Sequence, residues 1–471
     1  MACLPPSATP NMLLLKDSLE RLTMTRQFTQ QQIDNLSRPF EDRALDALAT
    51  GDLDSVRHWL DQMEKGHAGL DALSAHALAR KMGKLRQDFG ETEARQLLLN
   101  IGHQLMKTWH AQFRQGDDKG AITDLISIYR YQGNARLNTP QETDDDIILD
   151  LAPCGSGGKL DRQGLPDRHP DWYGGWSDGV SSLCQGCKAC QKALNESLGD
   201  EVWTTEKGDS GHCRMRFRKR SSRGSRLFSD QELETLPKTR VQQARERLDV
   251  GDTDIETLLN GQRKEWQPWH DFSVVWLEYF YATALDKGGA DYLDDMLAQT
   301  YEPAFDAGFP HYSGLTDQAL LEEVAKTWNY HCADFSVTEE DDRFVFRLDP
   351  CGSGGRLFRG QMWRDMFHYG EPLSPTMDDP HNINFNRRQA PAYCTHCAAS
   401  NRTQLRDGPE GSNPRFFVID GHAQLKPGQA CRQFSYKKNA DRAAMDPSLP
   451  AQIGIDWTAG HRAIPTRNLK E

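Results

Sequence analysis

The chain has 471 residues, 26% of them charged and 37% hydrophobic, and a formal net charge of −12 at pH 7. That length exceeds one ordinary core and fits two to four domains of roughly 100–200 residues, and the composition excludes a disordered or membrane-embedded chain. No apolar run approaches the roughly 20 residues that span a bilayer; the opening MACLPPSATPNMLLLKDSLER lacks a basic leader with a cleavable apolar core, so a cytoplasmic protein without a membrane partner is expected.

Residues 1–38 read as an N-terminal segment and 39–140 as a helical subdomain. Asp52 follows a glycine and precedes a periodic apolar stretch, as an N-cap should, and EARQLLLNIGHQLMKTW has apolar residues at helical spacing without proline. The period then changes. Ile147, Leu149 and Leu151 alternate with polar positions, predicting a strand that ends at Pro-Cys-Gly and opens a cysteine-bearing subdomain over 141–220. It contains Cys154 in LAPCGSGGKL, Cys184 and Cys187 in LCQGCKAC, and Cys213 in GHCRMRF. The basic run between Arg214 and Arg226 is the one stretch suited to a phosphate backbone, against an overall acidic balance that disfavours nucleic acid. Residues 221–238 read as a basic linker.

From 239 onward the pattern returns. ATGDLDSVRHWLDQMEKGHAGLD at 49–71 aligns without gaps on DVGDTDIETLLNGQRKEWQPWHD at 249–271, Gly90 aligns with Gly289, and Cys154 with Cys351. Asp252, like Asp52, is expected to cap a helix. A second helical subdomain is expected over 239–335, with FSVVWLEYFYATAL as its clearest stretch, and a second cysteine subdomain over 336–440. There Phe344, Phe346 and Leu348 alternate into Pro-Cys-Gly, followed by Cys394 and Cys397 in YCTHCAAS and Cys431 in QACRQFS. Residues 441–471 form a tail. The expected fold class is α+β, a tandem duplication in which each copy is a helical subdomain followed by a small Cys-rich, metal-stabilised α+β subdomain.

Eight of the 11 cysteines thus form two sets, Cys154, Cys184, Cys187, Cys213 and Cys351, Cys394, Cys397, Cys431. A Cys-x-x-Cys turn offers two thiolates to one tetrahedral ion and two distant cysteines close the shell, which predicts two structural Zn²⁺ sites. Four thiolates leave the site negative, and Lys159, Arg214, Arg356 and Arg432 are the cations expected to balance it. His212 and His396 are substitute ligands, an iron–sulfur cluster is the alternative cofactor, and reactive thiols at Cys154 and Cys351 are a further reading. PCGSGGK at 153–159 and PCGSGGR at 350–356 resemble the core of the SEC-C zinc-binding motif, Cys-x-Cys-Gly-Ser-Gly followed by a Cys-Cys or Cys-His pair. Ala152 and Asp349 stand where that motif has its first cysteine and no close pair follows, so the resemblance implies a shared turn around a zinc-bound cysteine rather than the whole module.

Trp269, Phe272, Trp276 and Tyr279 recur at spacings of three and four, an aromatic wall with His270 and Asp271 beside it. The loops RHPDWYGGW and MFHYGEPLSP, with the residues that follow, add His169, Tyr173, His368, Tyr369 and His381 as acid, base or substrate contacts. These predict a small-molecule enzymatic pocket in the second copy, between its helical and cysteine subdomains. The reaction type stays undetermined, because no Ser-His-Asp motif, His-Glu-x-x-His helix or dinucleotide fingerprint is present. The alternatives are a non-catalytic zinc-stabilised binding or adaptor protein and an iron–sulfur redox protein. The sequence carries no signal of oligomeric state.

Overall fold

A computed structural model describes residues 26–132, 135–208, 211–303, 309–312, 314–362, 376–408, 417–421 and 430–457, as a mixed α+β protein in which helices predominate. Helices α1 (Gln30–Leu36) and α2 (Phe40–Ala49) lead to α3 (Leu53–Leu105), where Asp52 accepts the Ser55 N–H at 3.1 Å as the predicted cap. Then come α4 (Lys107–Gln115) and α5 (Asp118–Arg130). The switch of period gives β1 (Gln141–Glu142) and β2 (Asp146–Leu151), with Ile147, Leu149 and Leu151 fully buried. α6 (Gly157–Arg162), α7 (Ser182–Leu198), β3 (Trp203–Lys207) and β4 (Cys213–Arg218) complete an antiparallel sheet of order β1-β2-β4-β3.

The second half begins with α8 (Asp230–Thr235), α9 (Arg240–Asp249), α10 (Glu256–Asn260) and α11 (Gln262–Thr300). Asp252 does not cap a helix as expected: its carboxylate accepts the Asp254 N–H at 2.9 Å, a turn that precedes α10. α12 (Asp317–Tyr330), β5 (Phe335–Glu339), β6 (Arg343–Leu348), α13 (Gly354–Phe358), α14 (Thr395–Leu405), β7 (Phe417–Asp420) and β8 (Cys431–Tyr436) follow, giving a second antiparallel sheet, β5-β6-β8-β7. Phe344, Phe346 and Leu348 are its buried row.

The two long helices are kinked at Gly90 (φ 78°) and Gly289 (φ 71°), a left-handed conformation that a Cβ would strain. Close to both kinks the helices are tied together. Lys84 Nζ lies 3.2 Å from Asp295, Tyr292 donates to Asp88 at 2.5 Å, and Lys287 meets Glu93 at 2.9 Å. One apolar core runs through α3, α4, α5, α7, α11 and the first sheet, so the helical and cysteine-bearing parts of the first half share an interior. A second junction packs Phe40, Ala44 and Leu60 against Val241, Ala244 and Leu248.

Residues 221–238, expected as a linker, are built into the first half. Asp118 accepts the backbone N–H groups of Arg220, Ser221 and Ser222 at 2.8, 2.8 and 3.0 Å, Glu142 accepts those of Leu227 and Phe228, and Phe228 is buried in the main core. The preceding Lys219 lies buried 2.7 Å from Glu142. The described part of the N-terminal segment does the same at the second sheet. Gln27 and Phe28 donate to Glu339 at 2.9 and 3.2 Å, the Phe28 ring meets Phe344 edge-on at 5.5 Å, and Lys437 pairs with Glu339 at 2.8 Å. Capping boxes Thr29–Gln32 and Ser229–Glu232 start α1 and α8. Among the described residues no helix is long and apolar enough to cross a membrane.

Candidate functional site

β2 and β6 each run into a cis X-Pro bond, at Pro153 and Pro350, that delivers Cys154 and Cys351. The neighbouring strands β4 and β8 carry the last cysteine of each set, with Cys213 opposite Leu151 and Cys431 opposite Leu348. The two Cys-x-x-Cys pairs were expected in turns. Cys184 and Cys187 instead lie in the first turns of α7 and share one helix face, while Cys394 ends a 3₁₀ turn and caps α14, which carries Cys397 in its first turn. The glycines of the CGSGG turns let these helices approach: a Cβ on Gly157 would stand 2.3 Å from the Cys184 sulfur, and one on Gly354 would stand 2.9 Å from that of Cys394. The Gly355 N–H donates to Cys351 Sγ at 3.0 Å.

All four cysteines of the first set line one cavity of about 270 Å³, and all four of the second set line another of about 120 Å³. A hydrogen bond from the Cys213 thiol, then those from Ser156 and the Gly158 and Ser156 N–H groups, bring Cys154 down to about 6 despite burial, while Cys213 is raised by the same contact. Burial pushes Cys184 up to about 12 and Cys187 up to about 11, and raises Cys394 and Cys397 well above the usual thiol value. Every described cysteine is free of disulfide bonds. Among the described residues no three His, Cys, Asp or Glu side chains are gathered tightly enough to hold one ion.

The charge balance differs from expectation. Arg214 pairs with Asp150 at 2.7 Å, Arg432 with Asp420 at 3.1 Å, and Arg356 makes a bidentate pair with Asp271 at 2.6 and 2.9 Å. Lys207, which the sequence did not single out, lines the first cavity. Burial lowers its pKa, but Asp161 and the Cys184 and Cys213 thiols hold it above the ordinary lysine value. The basic run expected to face phosphates is largely paired within the chain: Arg218 and Arg223 approach Asp200, and Arg226 bonds Asp230.

Trp269, Phe272 and Trp276 line the cavity of the first cysteine set, so the aromatic wall of the second half faces the first half's cysteines rather than its own. Phe272 meets Trp276 and Trp109 edge-on, at 5.4 and 6.0 Å. Tyr279 lies off this cavity, half-buried against the main core.

His270 and Asp271 point into a different buried network. His270 Nδ1 lies 3.0 Å from Asp271, its Nε2 3.3 Å from His331 Nδ1, and Ser353 Oγ sits 3.4 Å from His270 and 3.2 Å from His331. Burial lowers the His270 pKa, and with the carboxylate of Asp271 held by Arg356 the cluster ties α11 to the second CGSGG turn. Neither residue lines the described cavities. His381 caps a short 3₁₀ turn, its Nδ1 accepting the Ile383 N–H at 3.2 Å and its Nε2 3.5 Å from Asp291. His368 and Tyr369 lie outside the described residues. Tyr173 is buried with His76 and Arg80, whereas His169 and His212 are exposed; His396 Nε2 stands 3.6 Å from Cys397 Sγ.

No known protein family, curated protein or solved structure matches this chain.

The sequence reading missed Ser353, His331 and the chamber walls given by Trp109 and Trp203. Ser353 carried a signal, standing inside the repeated CGSGG. Trp109 and Trp203 carried none, since α4 and β3 meet α11 only through the tertiary fold.

Proposed function

We propose that the chain is a zinc-binding protein made of two diverged copies of one α+β unit. One structural Zn²⁺ is held by Cys154, Cys184, Cys187 and Cys213, and the other by Cys351, Cys394, Cys397 and Cys431. The supporting observation is that each set of four lines a single cavity, with its first cysteine three residues past the end of one strand, its last on the neighbouring strand opposite that end, and its inner pair at the start of one helix. Zn²⁺ would deprotonate the raised thiols, and rotation of the cysteine side chains would close a tetrahedral shell. Support for the duplication comes from paired details outside the cysteine sets: the kinks at Gly90 and Gly289, the Lys219–Glu142 and Lys437–Glu339 bridges, and the matching capping boxes Thr29–Gln32 and Ser229–Glu232. The free thiols fit a reducing, cytoplasmic setting.

The aromatic chamber beside the first set is the small-molecule pocket of this reading, with no reaction assigned to it. Metal analysis and absorption spectra of protein purified without oxygen test the metal. Two zinc ions per chain in colourless protein are expected. Brown protein with iron and acid-labile sulfide would instead make it an iron–sulfur protein, and metal-free, fully folded protein would end both readings.

A further inference from the structure

Of the four cations that the sequence placed beside the thiolates, Arg214, Arg356 and Arg432 are paired with carboxylates. Lys159 makes no ion pair among the described residues and lines neither cysteine cavity. It lies instead near His76 and Arg80 of α3. Burial first, then the charges of Arg80 and Lys159, hold the His76 pKa below the ordinary histidine value. Arg80 likewise makes no ion pair among the described residues. All three side chains are half-buried, in a chain whose net charge is −12. Like charges gathered without a carboxylate repel one another, and an anion is what would relieve them.

The group is held in place. Tyr173 Oη lies 2.9 Å from Arg80 Nε and 3.0 Å from His76 Nδ1, so the phenol accepts from the guanidinium and donates to the ring, which leaves the imidazole hydrogen on Nε2. Arg80 uses only Nε there, and the fork of its two terminal nitrogens has no partner among the described residues. The segment carrying Tyr173 is anchored on α3. Arg86 donates to the Gly175 and Pro170 carbonyls at 2.9 and 2.8 Å and Gln87 to that of Asp171 at 2.8 Å, while a Cβ on Gly83 would stand 2.5 Å from the Trp172 oxygen. The second half has no such group: Trp276 and Phe280, both buried, stand where α3 has His76 and Arg80.

We infer that His76, Arg80, Lys159 and Tyr173 form a binding site for a phosphate-class dianion, either free phosphate or the phosphoryl group of a small monoester. A guanidinium fork and an ammonium both suit phosphate oxygens, the imidazole Nε2–H adds a donor, and two negative charges answer Arg80 and Lys159. The site is separate from the cysteine sets and does not depend on which metal they hold.

The test is titration calorimetry on the full chain at about pH 8, where phosphate is doubly charged. The probes are inorganic phosphate, phenyl phosphate and the singly charged dimethyl phosphate. At least one of the two dianions is expected to bind about ten-fold or more tightly than dimethyl phosphate, and Arg80→Gln and Lys159→Gln are each expected to weaken it about five-fold or more. Thermal melts identify a variant that fails to fold, in which case the other one decides. Tighter binding of phenyl phosphate assigns the site to monoesters and tighter binding of inorganic phosphate to the free ion; both orders uphold the inference. Binding of neither dianion, dimethyl phosphate bound as well as they are, or folded glutamine variants that bind like the parent would overturn it.

Discussion

At the scale of single residues, the cysteines and the buried ion pairs make different demands. If Cys154 and Cys351 are ligands, Cys154→Ser and Cys351→Ser should each reduce bound zinc by about one ion per chain and lower the melting temperature, because metal binding is coupled to folding. A stable, metal-replete Cys351→Ser protein would show that this sulfur is no ligand. Glu142 makes a pH-dependent contribution. Burial raises its pKa, but the Leu227 and Phe228 N–H groups and the Lys219 ammonium outweigh burial and leave it below the usual value. A carboxylate depressed in the folded state stabilises above its unfolded pKa, about 4.3, and loses that stabilisation as pH falls through the folded value. Glu142→Gln, which strands a buried lysine, should therefore cost about 3–5 kcal/mol in urea unfolding at pH 7, the gap from the parent narrowing toward pH 3. The cysteine sets were legible as spacing. Lys219–Glu142 was not, because the lysine sits in a basic run that looks solvated and only the fold brings it under the first sheet.

At the scale of elements, the alternating rows around Ile147 and Phe344 and the cap at Asp52 follow from local sequence, since each depends on residues within a few positions. The helical Cys-x-x-Cys pairs do not: spacing by three fits a turn and a helix face equally, and what decides is the apolar register of α7 packed on α3. The kinks are readable only as aligned glycines. Gly90→Ala and Gly289→Ala should each destabilise the protein by about 1–2 kcal/mol, since alanine resists a positive φ while open space around both Cα atoms leaves nothing else to clash. Unfolding curves of the two variants check this; unchanged stability would mean that the helices straighten without loss. The capping boxes Thr29–Gln32 and Ser229–Glu232 matched the known Ser/Thr-x-x-Glu/Gln signature and were the overlooked sign that 26–36 and 226–236 do the same work.

Across the whole molecule, each sheet is finished by a segment that lies outside its own stretch of helices and strands: 227–236 for the first, 27–36 for the second. Deleting residues 1–38 should therefore loosen the far half of the chain. Hydrogen exchange is expected to rise in β5, β6 and α12, where Phe28, Ile33 and Leu36 pack, and to stay unchanged in β2 and β4. Faster exchange confined to α2 and α3 would contradict that arrangement. This long-range closure was not legible, as no local pattern states which sheet a short amphipathic helix will cover. The same closure sets an order of assembly on the ribosome. The first sheet has its closing segment once α8 has emerged, although the core beneath it waits for α11, but the second sheet cannot be completed when its own last strand appears unless Phe28 and its neighbours, made some four hundred residues earlier, are still uncommitted. The protein must carry an exposed apolar patch through nearly the whole of its synthesis, a period in which a chaperone or a premature partner has its longest opportunity to act.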